Sequence, residues 1–296
     1  MAETMTVFNR RAVRQHRDRA AADLTAHDFL FAETAERLAD RLDDVKRAFP
    51  LALDLGCHGG ELSRALNSRG GIETLACADL SERMAKQAGT PALGPSLALA
   101  LAADEEALPF AAASLDLVLS NLSLHWVNDL PGALVQIRQA LKPDGLFLAS
   151  MLGGATLHEL RTALYEAEIE VEGGLSPRFS PFADVRDLGN LLQRAGFALP
   201  VADFETITVS YETPLKLLRD LRGMGETNAN SERRRTFSRR ATLFKAMEIY
   251  MDRFAGPDGR VPASFEVITM TAWAPAPDQP KPLAPGSGAT PLGDAV

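Results

Sequence analysis

A run of glycines follows an acidic residue at the end of an apolar stretch. Asp54 lies in LALDL, and Gly56, Gly59 and Gly60 come shortly after it. Glycine lets the backbone bend sharply and approach a ligand closely, and the free N-H groups of a following helix bind a carboxylate or phosphate. The stretch LDLGCHGG therefore predicts a turn that binds a nucleotide-like cofactor.

Further polar residues stand at the ends of later apolar stretches. Asp79 ends TLACAD, where a carboxylate accepts hydrogen bonds from both hydroxyls of a ribose. Asp104 follows SLALALA, where we expect it to accept a hydrogen bond from the exocyclic amine of an adenine. The residues predicted to bind the cofactor are Asp54, Gly56, His58, Gly60, Asp79, Leu80, Asp104, Glu105 and Asn121.

His58 departs from the pattern, because glycine is the residue expected at this point of the turn. A residue other than glycine at positive φ costs on the order of 1 to 3 kcal/mol. We predict that His58 lowers the affinity for the cofactor without removing the site. The alternative is that the loop relaxes and binds normally.

These residues need a scaffold that brings the ends of several apolar stretches together. From residue 51 onward, short apolar runs alternate with helical segments, which is typical of a parallel sheet covered on both faces. We therefore predict an α/β, doubly wound fold with N-terminal helices, whose ligands bind beyond the carboxyl ends of the strands. The predicted strands are 51–55, 74–79, 96–102, 115–121, 146–152, 204–211 and 265–273.

The pattern changes after the fifth of these strands. Two helical segments come first, and a helical insertion from 214 to about 255 then separates the last two strands, which are predicted to pair antiparallel at the sheet edge. The last residues have too much Pro and Gly to repay ordering. The predicted organisation is an N-terminal helical segment 1–49, a domain 50–274 with a core 50–152 and a substrate part 153–274, and a disordered tail 275–296.

Composition excludes several classes of protein. The net charge of -8 argues against a general nucleic-acid binder. Only two cysteines are present, so a disulfide framework is not expected. Five arginines crowd one N-terminal stretch and predict a solvated or partner-docking helix face: Arg10, Arg11, Arg14, Arg17 and Arg19.

At these residues the chain resembles the class I S-adenosylmethionine-dependent methyltransferases, of the methyltransferase type 11 kind. The resemblance covers about residues 50 to 152 and rests on Asp54-x-Gly56-x-x-x-Gly60, Asp79, ADEEALPF, SNLSLHWVNDLP and LKPDG. It implies a seven-stranded Rossmann-like sheet of order 3-2-1-4-5-7-6, with S-adenosyl-L-methionine as the cofactor.

A narrower resemblance reaches from Phe8 to Trp273 and includes GGATLHELR, EGGLSPRFSPF, DLRGMGETNAN and PASFEVI. These stretches are similar to the mitochondrial complex I assembly methyltransferase-like family, or arginine hydroxylase family, and its bacterial relatives. The resemblance implies a protein partner, the iron-sulfur subunit of respiratory complex I, and the hydroxylation or methylation of one of its arginines. It also implies peripheral proximity to a membrane through that partner. We expect a cytoplasmic, bacterial location rather than the mitochondrial matrix.

An arginine substrate requires carboxylates, because a guanidinium stays protonated and must be oriented. Glu172 and Glu226 are candidates, and Glu226 lies in GMGETNAN, a predicted substrate-facing loop, while SPRFSPF is a predicted lid. His125 is a candidate orienting or proton-accepting group, with packing of the crevice wall as its alternative. The predicted catalytic residues are His125 and Glu226, and no metal site is predicted because the histidines lack the spacing of an iron site.

Two other functions remain open at this point. The SLHW stretch is shared with the biotin-pathway enzymes that methylate a malonyl carrier thioester, which makes a small-molecule or carrier methyltransferase the second enzyme class. A non-catalytic complex I assembly chaperone is the third possibility, with His58 marking a decayed site.

Overall fold

The computed structural model describes residues 6–90 and 97–280 and contains one seven-stranded sheet of order β3-β2-β1-β4-β5-β7-β6. The first five strands run parallel, and β7 pairs antiparallel with both β5 and β6. The doubly wound α/β fold and the implied strand order are confirmed. The strands are β1 Leu51–Leu55, β2 Thr74–Asp79, β3 Leu97–Ala102, β4 Leu115–Asn121, β5 Leu141–Leu152, β6 Ala198–Tyr211 and β7 Val261–Trp273.

Helices cover both faces of the sheet. Side chains of β4 alternate, so that Leu117 and Leu119 pack against α2, α3 and α4, while Val118 packs against α5 and α7. A third cluster joins α6, α8 and α9 beside the ends of β5 and β7. The helices are α1 Arg10–Ala20, α2 Phe29–Asp43, α3 Glu61–Leu66, α4 Glu82–Ala88, α5 Leu130–Ala140, α6 His158–Glu172, α7 Val185–Arg194, α8 Pro214–Met224 and α9 Arg240–Phe254.

The order of strands reverses between β1 and β4, which are neighbours in the sheet. Chain connections leave β1 toward one side and β4 toward the other, so a crevice opens at their carboxyl ends. Asp54, the glycine turn and Asn121 all lie at this crevice. The topology therefore places the predicted cofactor residues at the position where α/β sheets bind ligands.

Several boundaries differ from those predicted. Helix α5 ends at Ala140, and β5 begins at Leu141, five residues earlier than predicted, because Leu141 pairs with Leu115 before the register shifts and pairing resumes at Leu146. Strand β6 begins at Ala198, six residues earlier than predicted. The predicted tail from 281 onward lies outside the described residues, as does the beginning of the third predicted strand at residue 96.

The helical insertion between the last two strands is present as α8 and α9. Thr213 caps α8 by accepting a hydrogen bond from the backbone N-H of Lys216, and Gly225 ends it in the left-handed conformation. No helix in 6–90 or 97–280 is long and apolar enough to cross a membrane.

Candidate functional site

The turn after β1 has the backbone that its glycines permit. Gly56 and Gly60 both have positive φ, of 74° and 87°. A Cβ atom on Gly56 would lie 1.9 Å from the hydroxyl oxygen of Ser123, and one on Gly60 would lie 2.9 Å from the Cα atom of Ala88. Glycine is therefore required at both positions by close approach as well as by conformation.

His58 adopts the positive φ predicted for it, at 45°. Its side chain is buried and stacks on the ring of Phe31 with 4.2 Å between centroids. Its Nε2 atom lies 3.1 Å from the carbonyl oxygen of Asn121 and 3.2 Å from that of Leu122. Since carbonyl oxygens only accept, Nε2 carries the proton, and burial lowers the pKa of His58 and keeps the ring neutral. The histidine thus fills part of the crevice and ties α2 to the end of β4.

Asn121 is fixed by the same arrangement. Its side-chain amide donates to the carbonyl of Phe31 at 2.8 Å and accepts from the hydroxyl of Ser150 at 2.9 Å. Both polar groups of the side chain are therefore engaged within the protein, so Asn121 orients the crevice wall and has little capacity left for a ligand.

Asp54 is fully buried, and neither carboxylate oxygen has a hydrogen-bond partner within the described part of the chain. Burial, with the charges of Glu61 and Asp79 added, raises the pKa of Asp54 well above its ordinary value. A buried carboxylate without a donor is costly, and a cationic ligand group would remove that cost. The orphaned oxygens of Asp54 fit the ammonium group of S-adenosylmethionine.

Asp79 lies at the end of β2 and is held by two backbone donors. One oxygen accepts from the N-H of Ser81 at 2.7 Å, and the other accepts from the N-H of His58 at 3.2 Å. These bonds fix the carboxylate at the ribose position of the predicted site. The carboxylates of Asp54 and Asp79 therefore fit the adenosyl cofactor, although a side chain of the protein itself pairs with Asp79.

That side chain is Arg17 of α1, which is 2% exposed. It donates to Asp79 at 3.2 Å, to Glu105 at 3.0 Å and to the hydroxyl of Ser123 at 2.8 Å. Arg10, two turns earlier on the same face of α1, pairs with Asp104 at 2.6 Å and with Glu105. The ribose and adenine acids of the predicted site are thus covered by arginines from the N-terminal helix.

The prediction of a solvated or docking face for all five N-terminal arginines is wrong for Arg10 and Arg17. The spacing of Arg10, Val13, Arg17 and Ala20 places them on one face of α1, and Val13 and Ala20 are buried. That apolar pair marks the face as buried, which was the signal available in the sequence. Arg10 and Arg17 lie on this buried face because they pair with acids at the ends of the strands.

Glu105 is the most tightly bound of the predicted cofactor residues. Burial alone would raise its pKa, but Arg17 and Arg10 outweigh burial and lower the pKa of Glu105 to about 2. Asp104 is more open, with its side chain 36% exposed. Leu80 packs beside the cluster of Phe8, Val13 and Trp126 and contributes an apolar wall.

A cavity of about 550 Å³ lies next to this crevice. Phe31, which stacks on His58, lines it, so the two sites share a wall. Ser176 to Ser180 and Phe182 of the SPRFSPF stretch line it, and a role of this stretch as a lid stays a prediction. The remaining wall is largely apolar and comes from α6, α8, α9, β5 and β7: Leu152, Leu160, Leu164, Leu218, Leu221, Leu243 and Phe265.

The structure brings the two predicted catalytic residues together, and one of them, Glu226, lines this cavity. Gly225 ends α8 and is followed by Glu226, whose carboxylate lies 3.1 Å from Nε2 of His125 and 3.0 Å from the indole nitrogen of Trp126. Burial alone would raise the pKa of Glu226, but His125 and Trp126 help to hold it below its ordinary value. Glu226 is therefore an ionised carboxylate in the wall of a cavity whose lining combines apolar side chains with several arginines.

Glu172, the other carboxylate considered from the sequence, is already engaged. It accepts from the hydroxyl of Thr242 at 2.6 Å and pairs with Arg234. Among the residues that the structure covers, no three His, Cys, Asp or Glu side chains form a group able to hold a metal ion.

The chain is similar to several known proteins. A family model described as a methyltransferase domain matches residues 53–149. Arginine-hydroxylase NDUFAF5, mitochondrial, from Danio rerio is 44% identical over 285 residues, covering 96% of this chain and 87% of that protein. Malonyl-(acyl-carrier protein) O-methyltransferase from Methylovorus sp. is 38% identical over 275 residues, covering 91% of this chain and 90% of that protein.

The fold is also that of solved methyltransferases. Phosphoethanolamine N-methyltransferase 2 from Haemonchus contortus, in complex with S-adenosyl-L-methionine, superimposes with a TM-score of 0.53 at 16% identity, covering 89% of this chain and 60% of that one. At this identity the likeness bears on the fold alone. The resemblance that the motifs indicated is confirmed by the match of 44% identity over nearly the whole chain.

Proposed function

Because the chain belongs to the NDUFAF5 arginine-hydroxylase family, within the class I methyltransferase superfamily, we propose that it binds S-adenosyl-L-methionine and modifies an arginine of a protein. The target in this proposal is the iron-sulfur subunit of respiratory complex I, during assembly. The name of the relatives and the carboxylate in the cavity support it. A cytoplasmic location belongs to the same proposal.

The observation that carries the proposal is the position of Glu226. An arginine side chain remains charged at every physiological pH, so a pocket that accepts one needs an ionised carboxylate. Glu226 supplies it, with its side chain only 7% exposed and its orientation fixed by His125 and Trp126. A guanidinium entering the cavity would exchange water for this carboxylate and would be oriented by it.

The residues that would hold the cofactor are those of the crevice. Asp79 would receive the ribose hydroxyls, Asp54 the ammonium group, and the turn from Gly56 to Gly60 would allow close approach of the backbone. The ribose would take the place of Arg17 at Asp79, because both donate to the same carboxylate. When bound, S-adenosylmethionine supplies an electrophilic methyl group on a sulfonium. Glu226, positioned by His125, would orient the arginine, and the apolar part of the wall would exclude water.

The test is mass spectrometry of the iron-sulfur subunit purified from cells that carry the gene, lack it, or carry one of two variants. We expect one arginine to bear an added oxygen or methyl group only in cells with the intact gene. Glu226→Gln should abolish the modification, since the amide cannot balance a guanidinium charge. An arginine that is equally modified with and without the gene would refute the proposal.

The second variant, Asp79→Ala, separates an enzyme from a non-catalytic chaperone. We expect it to lose binding of S-adenosylmethionine in calorimetric titration and to lose the modification in cells. If complex I assembles fully in cells with Asp79→Ala, and the arginine is unmodified both in these cells and in cells with the intact gene, the protein is a non-catalytic chaperone.

A malonyl-carrier methyltransferase is the second candidate, supported by the relative from Methylovorus sp. at 38% identity. Deletion of the gene would then block biotin synthesis, and added biotin would restore growth. We expect no such rescue. Growth that depends on biotin would favour this candidate over arginine modification.

A further inference from the structure

The mouth of the cavity carries three arginines that lack a carboxylate partner. Arg19, Arg222 and Arg233 line the cavity, and none of the ion pairs within the described ranges includes them. Arg19 reaches only the hydroxyl of Thr227, at 3.4 Å, and Arg233 donates to the backbone carbonyl of Asn230 at 2.9 Å. We call these three residues the mouth arginines.

Two other arginines of the same cavity show what a paired state looks like. Arg178 lies 2.7 Å from Glu168, and Arg234 pairs with Glu172. Within the described ranges, Arg178 and Arg234 therefore have acidic partners and the mouth arginines have none. Since neighbouring arginines repel one another, the fold holds the mouth arginines together without an ion pair to any of them in these ranges.

This repulsion contributes to the lowered pKa of two groups, Arg19 and His16. Burial, followed by the neighbouring charge of Arg222, lowers the pKa of Arg19. Burial, followed by Arg19 and Arg233, lowers the pKa of His16 to about 4, so this imidazole is neutral at pH 7 and its Nδ1 atom has no partner among the described residues. Groups on α1, at the end of α8 and in the loop after it thus converge on a place suited to an anion.

The mouth arginines adjoin the carboxylate proposed to bind the substrate guanidinium. Arg19 contacts Thr227, the residue next to Glu226 in the chain, and Glu226 lines the same cavity. Arg19 therefore lies near the loop of Glu226, so that opposite charges line the same cavity. A peptide that inserts an arginine toward Glu226 places its flanking residues at the mouth.

We propose that the substrate arginine lies beside acidic residues, whose carboxylates bind Arg19, Arg222 and Arg233. This inference rests on the proposed arginine modification and adds the sequence context that the enzyme selects. The inference is based on charge complementarity. The buried carboxylate of Glu226 would bind the substrate guanidinium, and the three mouth arginines would bind the flanking acids. The apolar part of the wall would contact the aliphatic parts between them.

The experiment compares three fluorescein-labelled peptides by fluorescence anisotropy at low ionic strength, with the full chain. The first is Gly-Leu-Asp-Arg-Asp-Leu-Gly, the second replaces both aspartates by asparagine, and the third replaces the arginine by glutamine. We expect the first to bind about tenfold more tightly than the second. We also expect it to bind more tightly than the third, because Glu226 requires the guanidinium.

Charge reversal at the mouth tests the residues themselves. The double variant Arg222→Glu with Arg233→Glu should lose the preference for aspartate and gain one for a peptide with lysine at both flanks. Arg186→Glu is the matched control, since Arg186 is exposed on α7, outside the cavity lining, and should keep the wild-type preference.

The outcomes separate this inference from the function on which it rests. Equal binding of the aspartate and asparagine peptides, both dependent on arginine, would overturn the flanking-acid proposal and leave arginine recognition standing. Binding that needs the aspartates but not the arginine would refute the guanidinium site while supporting the mouth arginines. Malonyl-N-acetylcysteamine, a mimic of the malonyl thioester, is the fourth probe. If it is the only probe that binds, the proposal is overturned and the mouth arginines bind a malonyl carboxylate. If no probe binds, the proposal is likewise overturned.

Discussion

Helix α1 carries arginines to two sites, in opposite electrostatic states. Arg17 is buried in the cofactor crevice against Asp79 and Glu105, whereas Arg19, two residues later, is exposed at the cavity mouth without an acid. The crevice pairs Asp79 and Glu105 with Arg17, and Asp54 is the acid there that lacks a partner among the described residues, whereas Arg19 at the cavity mouth forms no ion pair within them. We therefore expect the cofactor to break a contact within the protein at Asp79, and the substrate to complete contacts that are missing at the mouth.

The two sites are joined through the same helix and loop. The backbone N-H of Asn9 at the start of α1 donates to the carbonyl of Ala229 at 2.8 Å, and Phe8 packs edge-on against Trp126, which holds Glu226. Displacement of Arg17 by the ribose would therefore also disturb Arg19 and the loop of Glu226. Cofactor and substrate are expected to affect each other's affinity through α1.

The largest expected effect is on stability, from Arg17→Gln. The substitution leaves Asp79 and Glu105 buried without their full complement of positive charge, which costs about 3 to 5 kcal/mol. Urea unfolding at pH 7 measures the loss. Arg222→Gln is the control from the other site and should change the free energy of unfolding by less than about 0.5 kcal/mol. Similar small losses in both variants would erase the contrast between the two sites.

The same variant sharpens the comparison through ligand binding. Without Arg17, Asp79 is free for the ribose hydroxyls, so we expect S-adenosylmethionine to bind Arg17→Gln about tenfold more tightly than the wild type and to raise its melting temperature further. Weaker binding to the variant would mean that Arg17 remains beside the bound cofactor as one of its ligands.

A smaller effect concerns pH and Glu61, the buried carboxyl at the start of α3. Burial raises the pKa of Glu61 from 4.5 to about 6. Its contribution to stability is therefore fully present below about pH 4.5 and is lost as the pH rises through about 6, a change of about 2 kcal/mol. Glu61→Gln should be more stable than the wild type above pH 6 and equal to it near pH 4.

Urea unfolding between pH 4 and pH 8 gives the measurement. Glu82→Gln is the matched control, because Glu82 is exposed and pairs with Lys86 on the surface of α4. Its difference from the wild type should show no step between pH 4.5 and pH 6. A flat difference for Glu61→Gln as well would mean that the buried carboxyl is solvated.

Much of the sheet was predictable because its strands are short and separated by clear helix signals. Strands β1, β2 and β4 match the predicted bounds, and Ser81 caps α4 by accepting from the N-H of Met84. The family resemblance supplied the strand order, which periodicity cannot give. The starts of β5 and β6 were missed, since Leu141 and Ala198 pair with neighbouring strands and are followed by a register shift within LKPDG and ALPV, where the local sequence indicates a turn.

The site was predictable where a residue's position follows from the end of a strand, as for Asp54 and Asp79. The partners of those residues were not, because they come from a helix far away in the chain. Arg17 is separated from Asp79 by 62 residues. The contact of His125 with Glu226 spans 101 residues and likewise depends on the turn of the chain after α8.

The last expected effect is that of His58→Gly on cofactor affinity. The histidine ring fills part of the crevice, so its removal should tighten binding of S-adenosylmethionine by about tenfold, or about 1.4 kcal/mol. Relief of the strained φ of 45° would partly offset the lost stacking on Phe31 in the free energy of unfolding.

Asn67→Gly is the control, because Asn67 also has a positive φ, of 46°, but is exposed at the end of α3. It should gain stability and leave cofactor affinity unchanged. If both variants bind the cofactor as the wild type does, the crevice accommodates the ring of His58, and Arg17 alone limits access to Asp79.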